Sequence, residues 1–256
     1  MVMSMETLRL WLIGEMGTPG EYQYQSIHWY TLAIVGAAIG ALVICQLCIR
    51  KKSAASRRLL VAVCIFQLAF ELLWRLIYLF VKGDSILCWW PVYPCNLYGI
   101  LIPLAALLKW LSWKKALYLF GFVGGVLTFA MPEGIFCTDV LVFPILKSIL
   151  QHTGILLIPL LEYVSATYRA TLKDMGWVVG GCLLHVVNCE GIDRLLGFTE
   201  DYMFFRSGLP FVIPGIPQFL TLSVFALLVL GLLCALSDLK GSAAFLRKLG
   251  RGTARS

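Results

Sequence analysis

A thiol and an imidazole brought together suffice for acyl transfer: the imidazole takes a proton and the thiolate attacks a carbonyl carbon. This sequence offers both in apolar surroundings, Cys95 in WPVYPCNLYGILIPL and His152 in FPILKSILQHTGILLIPL. Cys95 follows a proline where a loop passes into an apolar run, and a thiol at a helix N-terminus feels the positive end of the helix dipole, which favours thiolate. His152 lies about eight residues, or roughly 12 Å, inside its own run. A packing cysteine and a hydrogen-bonding interhelical histidine are the competing readings. The topology derived below puts both residues in the outward half of a bilayer, which favours the chemical reading.

Other ionisable residues within apolar runs are Glu71, Arg75, Lys147 and His185, with His28 at a run's entrance. Such groups are costly in lipid unless they are paired or turned to a cavity. Glu71 and Arg75 stand four apart with the acid first, the spacing of an ion pair on one helix face. Their functional reading is that Glu71 orients a histidine on another helix and Arg75 holds a lipid phosphate. The CQLC segment at Cys45 and Cys48 has redox spacing but sits inside an apolar helix. His185 and Cys189 lie one turn apart without a second pair of ligands, so neither a metal nor a cofactor is expected. The sequence contains no phosphate loop, GxSxG elbow or HExxH motif.

The elements that would position these residues follow from composition. The chain of 256 residues is 60% hydrophobic and 14% charged with a mean hydropathy of +0.85, against about 45–50% apolar and about 25% charged in a soluble domain. Apolar runs cover 29–49, 59–81, 95–111, 116–131, 144–163, 175–189 and 212–236. The third, fourth and sixth are short for a full span, which suits helices buried within a bundle. The sequence therefore predicts an all-α fold, a polytopic transmembrane bundle of about seven spans.

Fifteen of the 21 Lys and Arg fall in alternate loops: Arg50, Lys51, Lys52, Arg57, Arg58, Lys109, Lys114, Lys115, Arg169, Lys173, Lys240, Arg247, Lys248, Arg251 and Arg255. Arg9, Lys82, Arg194 and Arg206 fall on the opposite side. Positive residues stay in the cytoplasm, so the N-terminus is expected outside and the C-terminus cytoplasmic. The net charge of +7 is thereby a topology signal and no nucleic acid is expected as a partner. One integral membrane domain over 1–256 is expected, with an extracytoplasmic segment 1–28, a bundle 29–236 and a basic cytoplasmic tail 237–256 that ends in a frayed GTARS. Glu6, Glu15 and Glu21, with the brief apolar run LRLWLIG, argue against a cleavable signal. Cys45, Cys48, Cys64, Cys182 and Cys234 lie in apolar runs and read as packing residues, as do Gly124, Gly125, Gly180 and Gly181.

Several short segments recur in a familiar order: SIHWY with Ser26 and His28, FELLWRLIY with Glu71, WPVYPCNLYGILIPL with Cys95, and LYLFGFVGGVLTFAMPEG with Gly121, Gly125 and Pro132. They continue with His152 in LQHTG, Asn188 in HVVNCEG, and Tyr202 and Met203 in EDYMFFRSGLP. In this order they resemble the YwaF-like family of bacterial integral membrane proteins, which is similar to a eukaryotic cysteine-dependent TMEM lipid acyltransferase and, more distantly, to the androgen-induced Thr/His lipid hydrolases. Tyr93 stands where the family has a histidine, and Thr153 where a glycine follows the family's histidine.

The resemblance implies an intramembrane enzyme for acyl transfer or acyl-ester hydrolysis on phospholipids or lysophospholipids, integral and multi-pass in the cell membrane. Cys95 and His152 would be catalytic, Glu71 would orient the base, and Asn188 or His28 would polarise the carbonyl. Arg75, Lys147 and Tyr202 would meet the substrate. The rival expectation is a non-enzymatic transporter, channel or lipid-binding membrane protein whose polar path is lined by Glu71, Arg75, Lys147 and His152.

Overall fold

In lipid every backbone N–H and C=O must be satisfied from within, and a helix does this locally. The computed structural model places a helix on each apolar run. It describes residues 4–17, 26–83, 93–109, 111–130, 135–136, 138–197, 213, 215–216 and 218–253, and no strand occurs among them. In chain order the elements are α1 (Met5–Ile13), α2 (Ser26–Ile49), α3 (Ser53–Ile77) prolonged by a π-helical turn (Tyr78–Lys82), α4 (Pro94–Leu108), α5 (Leu111–Ala130) and α6 (Phe143–Val164). A 3₁₀ turn (Leu172–Asp174) leads into α7 (Met175–Val186), prolonged by a second π-helical turn (Val187–Ile192) and the short α8 (Asp193–Leu195). Helices α9 (Gln218–Ser237) and α10 (Leu239–Thr253) follow.

Among the described residues, four helices are long and apolar enough to cross a membrane: His28–Ile49, Ser53–Lys82, Phe143–Val164 and Gln218–Ser237. Helix α6 is the centre of the bundle, with 67% of its apolar window buried, whereas α2 buries only 6% and presents its side chains outward. The 15-residue α4 is apolar but short, and it is enclosed: Ile102 and Ala105 are fully buried. A helix lined by protein can be shorter than the bilayer, because neighbouring helices complete the crossing.

Hydrogen bonds define two ends. At one, Gln46 of α2 donates to Ser56 of α3 (2.7 Å) and to Ser165 just after α6. Arg57 of α3 caps the end of α4 through the carbonyls of Ala106 and Leu107 (3.2 and 3.3 Å). Lys114 of α5 pairs with Glu162 of α6 at 2.6 Å, both buried, and Lys115 with Asp174 at 3.0 Å. The opposite end holds the C-terminal part of α3 and the starts of α4 and α6, with Glu71, Arg75, Cys95 and Lys147. Helices α2 to α7 therefore alternate in direction. Between the two ends lies a buried apolar cluster that includes Ile102, Ala105, Ile155, Ile158 and Leu161.

Three details refine the sequence reading. Lys114 is a buried partner of Glu162 and not a loop charge, because α5 begins before it, at Leu111. The basic tail is helical over Leu239–Thr253, since LKGSAAFLRKLG alternates apolar and basic residues at helical spacing. Of the four glycines read as packing residues, Gly125 and Gly181 lie against Leu156 and Phe120, while Gly124 and Gly180 face open space.

Candidate functional site

Pro94 opens α4: proline lacks the N–H that a first turn leaves unbonded, and its restricted φ suits that position. Cys95 follows in this first turn and is half-buried. Its carbonyl accepts from Gln151 Nε2 of α6 (2.5 Å), which also donates to Asn96 Oδ1 (3.2 Å). Lys147, one turn before Gln151, donates to Asn96 Oδ1 (2.8 Å) and Gln151 Oε1 (2.6 Å). Its ammonium lies 4.2 Å from the centre of the Trp74 ring and 3.5 Å from Glu71 Oε1. Glu71 Oε2 takes Arg75 Nη1 at 2.7 Å, so the ion pair read from the four-residue spacing forms.

Glu71, Arg75 and Lys147 are at most 4% exposed. Among the described residues, two cations share one carboxylate and the buried Arg75 Nη2 has no hydrogen-bond partner. An unbalanced positive charge in a low-dielectric interior is strongly unfavourable and draws an anion. Close approach of α4 to this cluster requires Gly99: a Cβ there would lie 2.7 Å from Gln151 Nε2 and 2.8 Å from Glu71 Oε1.

His152 is buried on α6 with its ring edge-on to Phe129, centroids 6.3 Å apart. Its Nδ1 stands 2.7 Å from the Ser148 carbonyl. A carbonyl only accepts, so Nδ1 carries the proton of the neutral ring and Nε2 keeps the basic lone pair. The hydrogen bonds described for the two residues run to different partners, Gln151 for Cys95 and Ser148 for His152.

The orienting partner of the imidazole is thus Ser148, while the Glu71 carboxylate expected in that role serves Arg75 and Lys147. His28 is fully buried and stacks on Phe136 at 4.2 Å, beside an apolar cluster with Ile135, Ile145 and Ile149. Asn188 is buried in the π-helical turn after α7. His185, one turn earlier, hydrogen-bonds the hydroxyl of Tyr98, which sits one turn beyond Cys95, and so ties α7 to α4. Tyr202, Met203 and Pro132 lie outside the described residues.

Sequence reasoning missed Asn96, Gln151, Trp74 and Tyr98. Gln151 was detectable from its four-residue spacing to Lys147, and Asn96 from its place beside Cys95. Nothing in the spacing pointed to Trp74 or Tyr98.

Apolar helices of membrane-crossing length packed round a buried, charged cluster define a helical membrane protein. Residues 23–235 match the model of the TMEM164 family, and the chain belongs to that family. No curated protein and no solved structure matches it.

Proposed function

We propose that this protein is an intramembrane enzyme that transfers acyl groups between membrane lipids, or hydrolyses them, through a thioester on Cys95. The observation that carries this reading is a half-buried thiol in the first turn of α4 beside a buried cluster in which, among the described residues, Arg75 and Lys147 share the Glu71 carboxylate. A Cys95 thiolate balances that excess charge. Lys147 is tied to the first turn of α4 through Asn96, and Gln151 holds the Cys95 carbonyl.

His152 Nε2 takes the thiol proton, and Cys95 Sγ bonds to the carbonyl carbon of an acyl ester. The tetrahedral intermediate collapses as the ester C–O bond breaks, and the imidazolium returns its proton to the leaving alkoxide. A lysophospholipid hydroxyl, or water, then loses its proton to His152 and attacks the thioester. Cys95 leaves as thiolate and is reprotonated. Asn188 supports the developing oxyanion. Arg75, through its unengaged Nη2, and Lys147 hold the anionic headgroup, with Tyr202.

The helices on the seven apolar runs each cross the cell membrane, with the N-terminus outside. The short ones are completed by their neighbours, and Arg50, Lys51, Lys52 and Lys173 cluster at the cytoplasmic end.

Purified protein incubated with an acyl-labelled phospholipid and an unlabelled lysophospholipid tests the proposal. Label should move between lipids, and quenched samples should carry an acyl mass on the Cys95 peptide. Undiminished transfer by Cys95→Ala rejects the nucleophile.

A further inference from the structure

The hydroxyl of Ser242 in α10 lies 3.4 Å from the Cys234 carbonyl of α9. A straight helix would separate residues eight apart by about 12 Å. The chain therefore turns sharply where α9 ends. Asp238 makes the corner, its carboxylate accepting from Gly241 N and its carbonyl from Ser242 N, each at 2.9 Å. Ser242 also accepts from Leu172 N at 3.2 Å, which lays α10 on the 3₁₀ turn at the end of the bundle.

That end carries the side chains of a bilayer surface. Trp113 of α5 and Trp177 of α7 stand with ring centroids 5.3 Å apart and are 42% and 39% exposed. Trp and Tyr concentrate at the level of lipid headgroups. Lys115, two residues after Trp113, bonds Asp174 of the very turn on which α10 rests. The aromatic belt and α10 are thus tied to one level of the molecule.

The faces of α10 differ in kind. Ser242 is buried and Phe245 half-buried toward the bundle, whereas Leu239, Ala243 and Leu246, spaced four and three apart, form an exposed apolar stripe. Leu239 is 64% and Leu246 53% exposed. Lys240 and Arg247, also exposed, border this stripe, and Lys248 lies beyond them. An apolar stripe edged with cations, on a helix joined by one residue to an apolar span, suits the boundary between acyl chains and anionic headgroups.

We propose that α10 lies in the bilayer surface and binds anionic phospholipid, with Leu239 and Leu246 in the acyl region and Lys240, Arg247 and Lys248 on the phosphates. The inference rests on the membrane location and is independent of acyl transfer, so its test reads no activity. The full-length protein is placed in lipid nanodiscs of phosphatidylcholine alone or with about one-third phosphatidylglycerol, and amide hydrogen exchange is followed by mass spectrometry. Anionic lipid should slow exchange over 239–253 by about tenfold, and high salt should reverse this. K240Q/R247Q/K248Q should lose the dependence on anionic lipid while exchange in α2 to α9 is unchanged. Leu246→Glu should raise exchange in both kinds of disc. Equal exchange in the two discs for the native chain, or a slowing kept in full by the triple variant, overturns the proposal. So does equal slowing in phosphatidylcholine discs on addition of soluble polyglutamate, which assigns the face to an acidic polypeptide.

Discussion

Lys147 has two amide oxygens, a carboxylate and an aromatic face around one ammonium. Each contact limits where the charge can sit, and together they aim it at the first turn of α4. In the proposed reaction Lys147→Met should therefore lower transfer at least about tenfold, with Cys95 still present and less readily alkylated at neutral pH. A spectator lysine would leave the alkylation rate of Cys95 unchanged. His152→Ala removes the proton carrier and should lower the rate constant by about 10²–10⁴-fold. Ser148→Ala should be nearly silent in the same assay, because the group that orients the imidazole is a backbone carbonyl.

At the scale of the element, α4 is pressed against α3 and α6 because position 99 has no side chain. Gly99→Ala would drive a methyl into Gln151 and Glu71. Transfer should fall and the unfolding temperature in detergent should drop. Gly124→Ala, where nothing lies within 4 Å, is the matched control and should keep both, since alanine is favoured over glycine in a helix by about 1 kcal/mol. Equal behaviour of the two variants would show that the approach of α4 to the cluster is not tight.

Across the whole molecule, two buried charge clusters at opposite ends are separated by an apolar cluster. The Lys114–Glu162 pair links α5 to the far end of α6, and loss of one partner leaves the other as an uncompensated buried charge. Glu162→Leu should destabilise the protein by about 3–5 kcal/mol, and K114M/E162L should restore most of that stability in a thermal unfolding assay. A double variant no more stable than the single one would mean that the pair contributes more than mutual neutralisation.

What could be read without coordinates came from local properties. Hydropathy is summed along the chain, so the helices on runs such as 29–49 and 144–163 were legible within a few residues. The four-residue spacing of Glu71 and Arg75 lies on one helix, so their pair was legible too. The extent of α5 was misjudged because Lys114 and Lys115 look like loop residues until Glu162 and Asp174 stand opposite them.

The sequence by itself determined an all-helical membrane protein with a thiol at the start of one helix and an imidazole well inside another, because hydropathy and helix caps depend only on neighbours in the chain. Tertiary structure alone decided that Lys147 serves Asn96 and Gln151, that Glu71 turns to two cations and not to His152, and that the tail folds back across the bundle's end. Contacts between helices depend on the rotation and depth of each, and those are set by how all of them pack together.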